Sequence, residues 1–313
     1  MRYSTDPADY EDYEDFTERE PRRARRRRFD DEPRPIRSGR LTEEAKALLE
    51  NSKDDGPAEE DERYSSYPDA VPGPGPLPGW VLTEAAATDT ELGVLKTGKE
   101  ADVHLIRRAL PGNERTSLLA AKRYRPPEHR QFHRDAGYLE GRRMRKSREL
   151  RAVQNRTAFG RNLIAEQWTI AEFAALSRLW QLGAPVPYPV QRHGTELLLE
   201  YLGDESGAAP RLAELRPDPG ELDRLWAQLI EALTLLAEAG LTHGDLSPYN
   251  VLVHEGRPML IDLPQVVELV VNPNGPAILE RDVTNLARWF TARGRHVDIE
   301  QTTARLRAAA GMD

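Results

Sequence analysis

Apolar residues recur at helical spacing most clearly over Glu221–Ala239. There Leu222, Leu225, Trp226, Leu229, Leu233 and Leu236 form one stripe, and Gly240 follows its end. The same reading predicts helices over Ile164–Leu182, stopped by Gly183, over Ala277–Thr291 and over Ile299–Ala310. Asp298 and Gln301 are spaced as a capping box for the last helix. Shorter runs read as strands. Gly93–Lys96 and Ala101–Arg108 flank a Thr97-Gly98-Lys99 turn, and Pro111-Gly112-Asn113 marks the turn before Thr116–Arg123. Pro187–Gln191 and Glu196–Tyr201 pair around Gly194, and Val251–Val253 and Pro258–Ile261 are two further short strands. Strands with one helix come first, then mostly helices with two short strands. That order predicts an α+β chain in two lobes, with no internal repeat.

Upstream of Trp80 neither period is present. Residues 1–79 hold 14 basic and 21 acidic residues and ten of the 24 prolines. Such a stretch buries too little apolar surface to offset its ordering entropy, so a disordered, charged, proline-rich tail is expected. Its one candidate element is a short helix near Leu41–Leu49, with Thr42 as a cap. Arg22, Arg23 and Arg25–Arg28 form a basic block between the acidic run Asp9–Glu20 and Asp30–Glu32. The block reads first as a polyampholyte neutralised by its own acids, because no aromatic residues interleave the arginines. The competing reading is a contact with RNA phosphates. Residues 127–162 are Arg-rich without an apolar period, and read as a partial helix followed by a mobile basic loop at about 133–161.

The chain has 313 residues, no cysteine and a formal net charge of -8. The missing thiols exclude disulfides, thiolate metal sites, iron–sulfur clusters and a cysteine nucleophile. The first 30 residues contain no apolar h-region of a signal peptide. No run approaches the ~18 apolar residues of a membrane span. A soluble cytoplasmic protein is expected. Arg and Ala outnumber Lys in the predicted helices, which points to a GC-rich, bacterial genome.

The chemistry concentrates in His243-Gly244-Asp245-Leu246-Ser247-Pro248-Tyr249-Asn250, between the long amphipathic helix and a short strand. Asp245 can accept a proton from an attacking hydroxyl, and the Asn250 amide oxygen can bind a metal that neutralises phosphates. Asp262, at the end of the next strand, supplies the hard oxygen that Mg²⁺ prefers. Lys122 ends an apolar strand, where an unpaired charge is costly. Glu172 lies on the apolar stripe Trp168, Glu172, Ala175, Leu176, Leu179, where a carboxylate needs a facing cation. A Lys122–Glu172 ion pair satisfies both and aims Lys122 at nucleotide phosphates. The turn Thr97-Gly98-Lys99 can cover phosphates with its amides, although it lacks the glycine spacing of a Walker A loop.

These segments together resemble the protein-kinase-like fold, and specifically the RIO family of atypical serine/threonine protein kinases. Thr97-Gly98-Lys99-Glu100-Ala101-Asp102-Val103 is similar to that family's phosphate loop, Ala121-Lys122 to its nucleotide-binding lysine, and Trp168-Thr169-Ile170-Ala171-Glu172 to its helix-C motif. Leu199-Glu200-Tyr201-Leu202-Gly203 resembles the hinge, His243–Asn250 the catalytic loop, and Ile261-Asp262-Leu263-Pro264-Gln265 the family's Ile-Asp-x-x-Gln signature. The resemblance covers roughly residues 80–295. It implies a bilobal kinase fold lacking the activation segment and peptide-docking subdomain, with an N-lobe at 80–203 and a C-lobe at 204–313. It implies Asp245 as catalytic base and Asn250 and Asp262 as ligands of Mg²⁺ or Mn²⁺. For ATP it implies Thr97, Gly98, Lys99, Val103, Lys122 with Glu172, and backbone groups of Glu200 and Leu202. The implied activity is ATP-dependent phosphorylation of a protein serine or of the chain itself, with Ser4, Ser38, Ser52, Ser65 and Ser66 as nearby acceptors. Two alternatives stay open. One is an ATPase switch acting on a ribosomal or RNA partner through Arg22–Arg28 and the 133–161 loop. The other is an aminoglycoside- or choline-type phosphotransferase, which shares the His-Gly-Asp form.

Overall fold

The computed structural model of the chain describes residues 62–125, 158–204 and 207–312. The Arg22–Arg28 block, the Leu41–Leu49 helix, Ser4, Ser38, Ser52 and nearly all of the 133–161 loop lie outside the described residues. The described residues all belong to one compact unit spanning 37–313.

The first half builds one antiparallel sheet. Its strands are β1 (Glu62–Tyr64), β2 (Val71–Pro72), β3 (Thr88–Thr97), β4 (Ala101–Ala109), β5 (Thr116–Tyr124), β6 (Pro189–His193) and β7 (Glu196–Glu200), in the order β1-β3-β4-β5-β7-β6-β2. Helix α1 (Ala158–Gln181) enters between β5 and β6 and packs on β5, β6 and β7. It begins six residues before the predicted start, inside the stretch expected to be loop.

The expected tail boundary at residue 79 is corrected. Glu62–Tyr64 pairs with Thr88–Thr90 of β3, and Val71–Pro72 pairs with Gln191–Arg192 of β6. A short strand from the pre-Trp80 segment therefore lies at each edge of the sheet. The anchor is a buried polar cluster that hydrophobic patterning does not register. Arg108, with no exposed surface, donates from Nε and Nη2 to the Asp89 carboxylate at 2.7 and 2.9 Å and from Nη1 to Gln191 Oε1 at 2.9 Å. Gln191 Nε2 in turn donates to Ser66 Oγ at 2.9 Å. A buried charge is tolerated when paired and hydrogen-bonded in this way. Ser65 is buried and accepts from the Tyr67 amide, so Ser65 and Ser66, two of the five serines expected as nearby acceptors, are engaged in the fold.

The second half is mostly helical. After the small hairpin β8 (Gly203–Asp204) and β9 (Gly207–Ala208) comes α2 (Pro219–Glu238). Asp218 caps it by accepting from the Glu221 amide at 2.8 Å, Pro219 opens it, and all six residues of the predicted stripe are buried. β10 (Leu241–Thr242) leads into the His243–Asn250 loop, and β11 (Val251–His254) and β12 (Arg257–Leu260) form a hairpin. β13 (Val267–Glu268) returns to pair with β10 before α3 (Gly275–Thr291) and α4 (Ile299–Ala309). Asp298 accepts from the Gln301 amide at 2.9 Å, which is the N-cap half of the expected box. One apolar cluster joins α2, α3 and α4 to Leu176 and Leu179 of α1, so the sheet-side helix and the helical half share a core. The layout is the α+β, two-part arrangement of a kinase-like fold. Between Asp262 and Gly275 the chain holds only turns and β13. Among the described residues, no helix is long and apolar enough to cross a membrane.

Candidate active site

The site is assembled by β5, α1, the loop after β10 and the end of β12. Lys122 lies on β5 directly opposite Val103 of β4, and its ammonium donates to Glu172 Oε1 at 2.8 Å and to Asp262 Oδ1 at 2.7 Å. Glu172 is 1% exposed, and α1 carries it to the back of Lys122. It accepts three donors: Lys122, the Tyr124 hydroxyl and the backbone amide of Leu263 at 3.2 Å. The opposite charges of Asp262 and Glu172 raise Lys122 well above the ordinary lysine value despite its burial. The neighbouring Lys122 ammonium holds the Asp262 carboxyl down at about 2, with Lys96 and His243 contributing. Burial pushes the Tyr124 hydroxyl well up, so it stays a donor to Glu172.

Asp262 has φ 66°, a left-handed conformation uncommon outside glycine. It is held there from both sides. The Leu263 amide is bound by Glu172, and the Ile261 carbonyl meets His243 Nε2 at 3.0 Å. The next strand is tied back to the loop, since the Ile261 amide donates to the Asn250 carbonyl at 3.0 Å.

In the His243–Asn250 loop, the Asn250 side-chain amide donates to the Asp245 carbonyl at 2.8 Å, closing the turn between them. Burial raises the Asp245 carboxyl above the usual aspartate value. Asp262 and Asp282 add to that rise, while His243 and Arg281 oppose it. The loop rests on α3. Asp282, with no exposed surface, accepts from Thr242 Oγ1 at 2.9 Å, from the Gly244 amide at 2.8 Å and from the Leu246 amide at 3.2 Å. Arg281 donates to the Gly244 carbonyl, and Asn285 Nδ2 donates to the Leu246 carbonyl at 3.0 Å. Gly244 sits at φ 85°, and a Cβ there would stand 1.9 Å from the Gln265 carbonyl oxygen. Gly244→Ala is therefore expected to cost more than the ~1–2 kcal/mol of a left-handed residue alone, read as a lower midpoint of thermal unfolding.

Thr97 closes β3 opposite Asp102, the Gly98 amide donates to the Ala101 carbonyl at 3.0 Å, and Lys99 is exposed at the turn. Gly98 is tight against the strand, with the Ala101 carbonyl 2.8 Å from a Cβ position. At the end of β7 the Glu200 amide donates to the Tyr188 carbonyl at 2.8 Å, and just beyond it the Leu202 carbonyl accepts from the Ala209 amide at 2.8 Å. The Glu200 side chain turns back to the Tyr188 amide at 3.0 Å. The structure thus brings Lys122, Glu172 and Asp262 into contact, joins Asp245 to Asn250, and sets Val103 beside Lys122 in the sheet. Patterning missed Tyr124, Asp282, Arg281 and Asn285. Asp282 carried a usable signal: it is an acid on the apolar stripe Leu279, Val283, Leu286, just as Glu172 is on its own stripe.

Comparison with known proteins bears on this geometry. A family model described as "RIO domain" matches residues 115–303. The RIO-type serine/threonine-protein kinase Rio1 of Haloferax volcanii is 32% identical over 217 residues, 69% of either chain. The protein of the same name from Thermoplasma acidophilum is 33% identical over 138 residues, 44% of this chain and 71% of that one. The human serine/threonine-protein kinase RIO3 is 33% identical over 132 residues, 42% of this chain and 25% of that one.

Proposed function

We propose, for a chain that belongs to the RIO family of serine/threonine protein kinases, transfer of the γ-phosphoryl group of ATP to a serine or threonine hydroxyl of a protein, the chain itself included. The acceptor oxygen bonds to the γ-phosphorus, the bond to the bridging oxygen breaks, and ADP leaves. Asp245 takes the hydroxyl proton. Lys122, braced by Glu172 and Tyr124, meets the α- and β-phosphates. Thr97, Gly98 and Lys99 cover the phosphate chain, Val103 flanks the base, and Glu200 and Leu202 supply backbone groups to the adenine edge. With ATP as the phosphoryl donor, the cytoplasm is the compartment of the reaction.

The single observation that carries this reading is the Lys122 ammonium bridging Glu172 and Asp262. The donor set suits a hard cation. Asp262 offers carboxylate oxygens, and Asn250, whose amide nitrogen is spent on the Asp245 carbonyl, offers its oxygen. Among the described residues no group of three or more His, Cys, Asp or Glu could hold a metal by itself. That fits Mg²⁺, or Mn²⁺ in its place, bound by one or two protein oxygens together with phosphates and water. When bound, the ion neutralises charge on the phosphate oxygens.

The test is incubation of the pure protein with Mg²⁺ and γ-labelled ATP, following protein-bound label and free phosphate together, beside Asp262→Asn. Acid-stable label on serine or threonine, lost in the variant, is the expected result. Free phosphate with no stable label would replace the kinase with an ATPase, and bound ATP with no turnover would overturn both.

A further inference from the structure

Two cations near this site have no assigned role. Lys96 is the last residue of β3 before the closing Thr97. It lies directly opposite Val103, which lies directly opposite Lys122. Directly opposed residues of antiparallel strands present their side chains on the same face. Lys96, Val103 and Lys122 therefore form one row across three strands, with Lys96 about 10 Å from Lys122 at two strand spacings. That is the face on which Lys122 meets Asp262.

Arg211 approaches from the other half. It follows β9, forms an isolated bridge with Leu252 of β11, and donates from Nη1 to the Tyr249 carbonyl, inside the loop that runs from Asp245 to Asn250. The Val253 amide holds the preceding Pro210 carbonyl at 2.8 Å, so the backbone that carries Arg211 is fixed. The charge of Arg211 acts on Lys96, and that of Asp262 acts on both. Partial desolvation lowers Lys96 and Arg211 from their ordinary values. Lys96 is lowered further by Arg211 and Lys122, while Asp262 draws both the other way, with Glu214 also drawing on Arg211. Lys96 is exposed on the face of the sheet that carries Lys122, and Arg211 is half-buried beside the Asp245–Asn250 loop; cations so placed are stabilised by a polyanion lying between them.

We propose that Lys96 and Arg211 are two further phosphate-binding cations of the nucleotide site, one from the sheet and one from the helical half, additional to Lys122. The inference rests on the ATP reading above. It makes the phosphate chain an electrostatic tie between the two halves, and makes affinity depend on phosphate number.

The experiment measures binding of adenosine, AMP, ADP and ATP, with Mg²⁺, to the full chain and to Lys96→Met and Arg211→Met. Lys96→Arg and Arg211→Lys serve as charge-preserving controls. Each methionine variant is expected to bind ATP about tenfold more weakly, the scale of one charge-assisted hydrogen bond, with adenosine binding unchanged. The charge-preserving variants should recover most of the ATP affinity. Equal weakening of adenosine and ATP would reveal a merely structural role, and unchanged ATP binding would show no contact. Either result overturns the inference while leaving the kinase reading intact. A wild-type chain that binds none of the four would instead remove the ATP reading and the inference together.

Discussion

Asp245→Asn is expected to lower turnover by about 10²–10⁴-fold, the usual contribution of a positioned general base, while ATP affinity stays nearly unchanged. The asparagine keeps the shape of the loop. The bond that closes the turn uses the Asp245 backbone carbonyl, not its side chain, and so survives the substitution. The same carboxylate predicts a pH profile. It must be ionised to accept the proton, and burial with Asp262 nearby raises its pKa above the ordinary aspartate value, which is about 3.9. Turnover therefore falls with falling pH through a point above that value. Arg281 and His243 oppose the rise, so Arg281→Gln should move the acid limb still higher. A pH profile of turnover at saturating ATP checks both statements, and a limb unmoved by Arg281→Gln would contradict the second.

The largest stability effect is expected from Asp282→Ala. Three donors, Thr242 Oγ1 and the amides of Gly244 and Leu246, would lose one fully buried acceptor. Each buried unsatisfied group costs roughly 1–3 kcal/mol, so a loss of about 3 kcal/mol or more is expected in denaturant unfolding. Activity measured well below the unfolding temperature should fall as well, because these bonds hold the backbone on either side of Asp245. A variant with normal turnover and an unchanged unfolding midpoint would show that α3 does not brace the loop.

The long helices were legible because their burial follows a single period. Every position of the α2 stripe from Leu222 to Leu236 is buried as its period predicts, whereas the cap, Asp218 with Pro219 after it, lies just before the predicted start at Glu221. The central hairpins were legible from their turns, and the Lys122–Glu172 contact from two charges placed where charges are costly. What escaped was held together by polar contacts. β3 begins at Thr88, earlier than patterning allowed, because its buried Asp89 is neutralised by Arg108, nineteen residues away. β1 and β2 sit among acids and prolines and gain order only from partners far along the chain. Tyr124 lies one residue past the predicted strand Thr116–Arg123. Its hydroxyl matters because α1 brings Glu172 to it from 48 residues downstream. Local sequence carries no trace of such distant complements, whereas periodicity and caps are local by nature.

The placement of β1 and β2 has a consequence for association. An uncovered sheet edge presents a row of unpaired amides and carbonyls, a template for pairing with another chain. Here the same short segment of backbone shields both edges, β1 lying along β3 and β2 along β6. β2 ends in Pro72, which has no amide hydrogen to offer a further strand. Residues that look like the fringe of a charged tail thus act as the sheet's guard against intermolecular pairing. A fragment that begins at Trp80 would keep the β3–β4 turn and Lys122 and lose that protection.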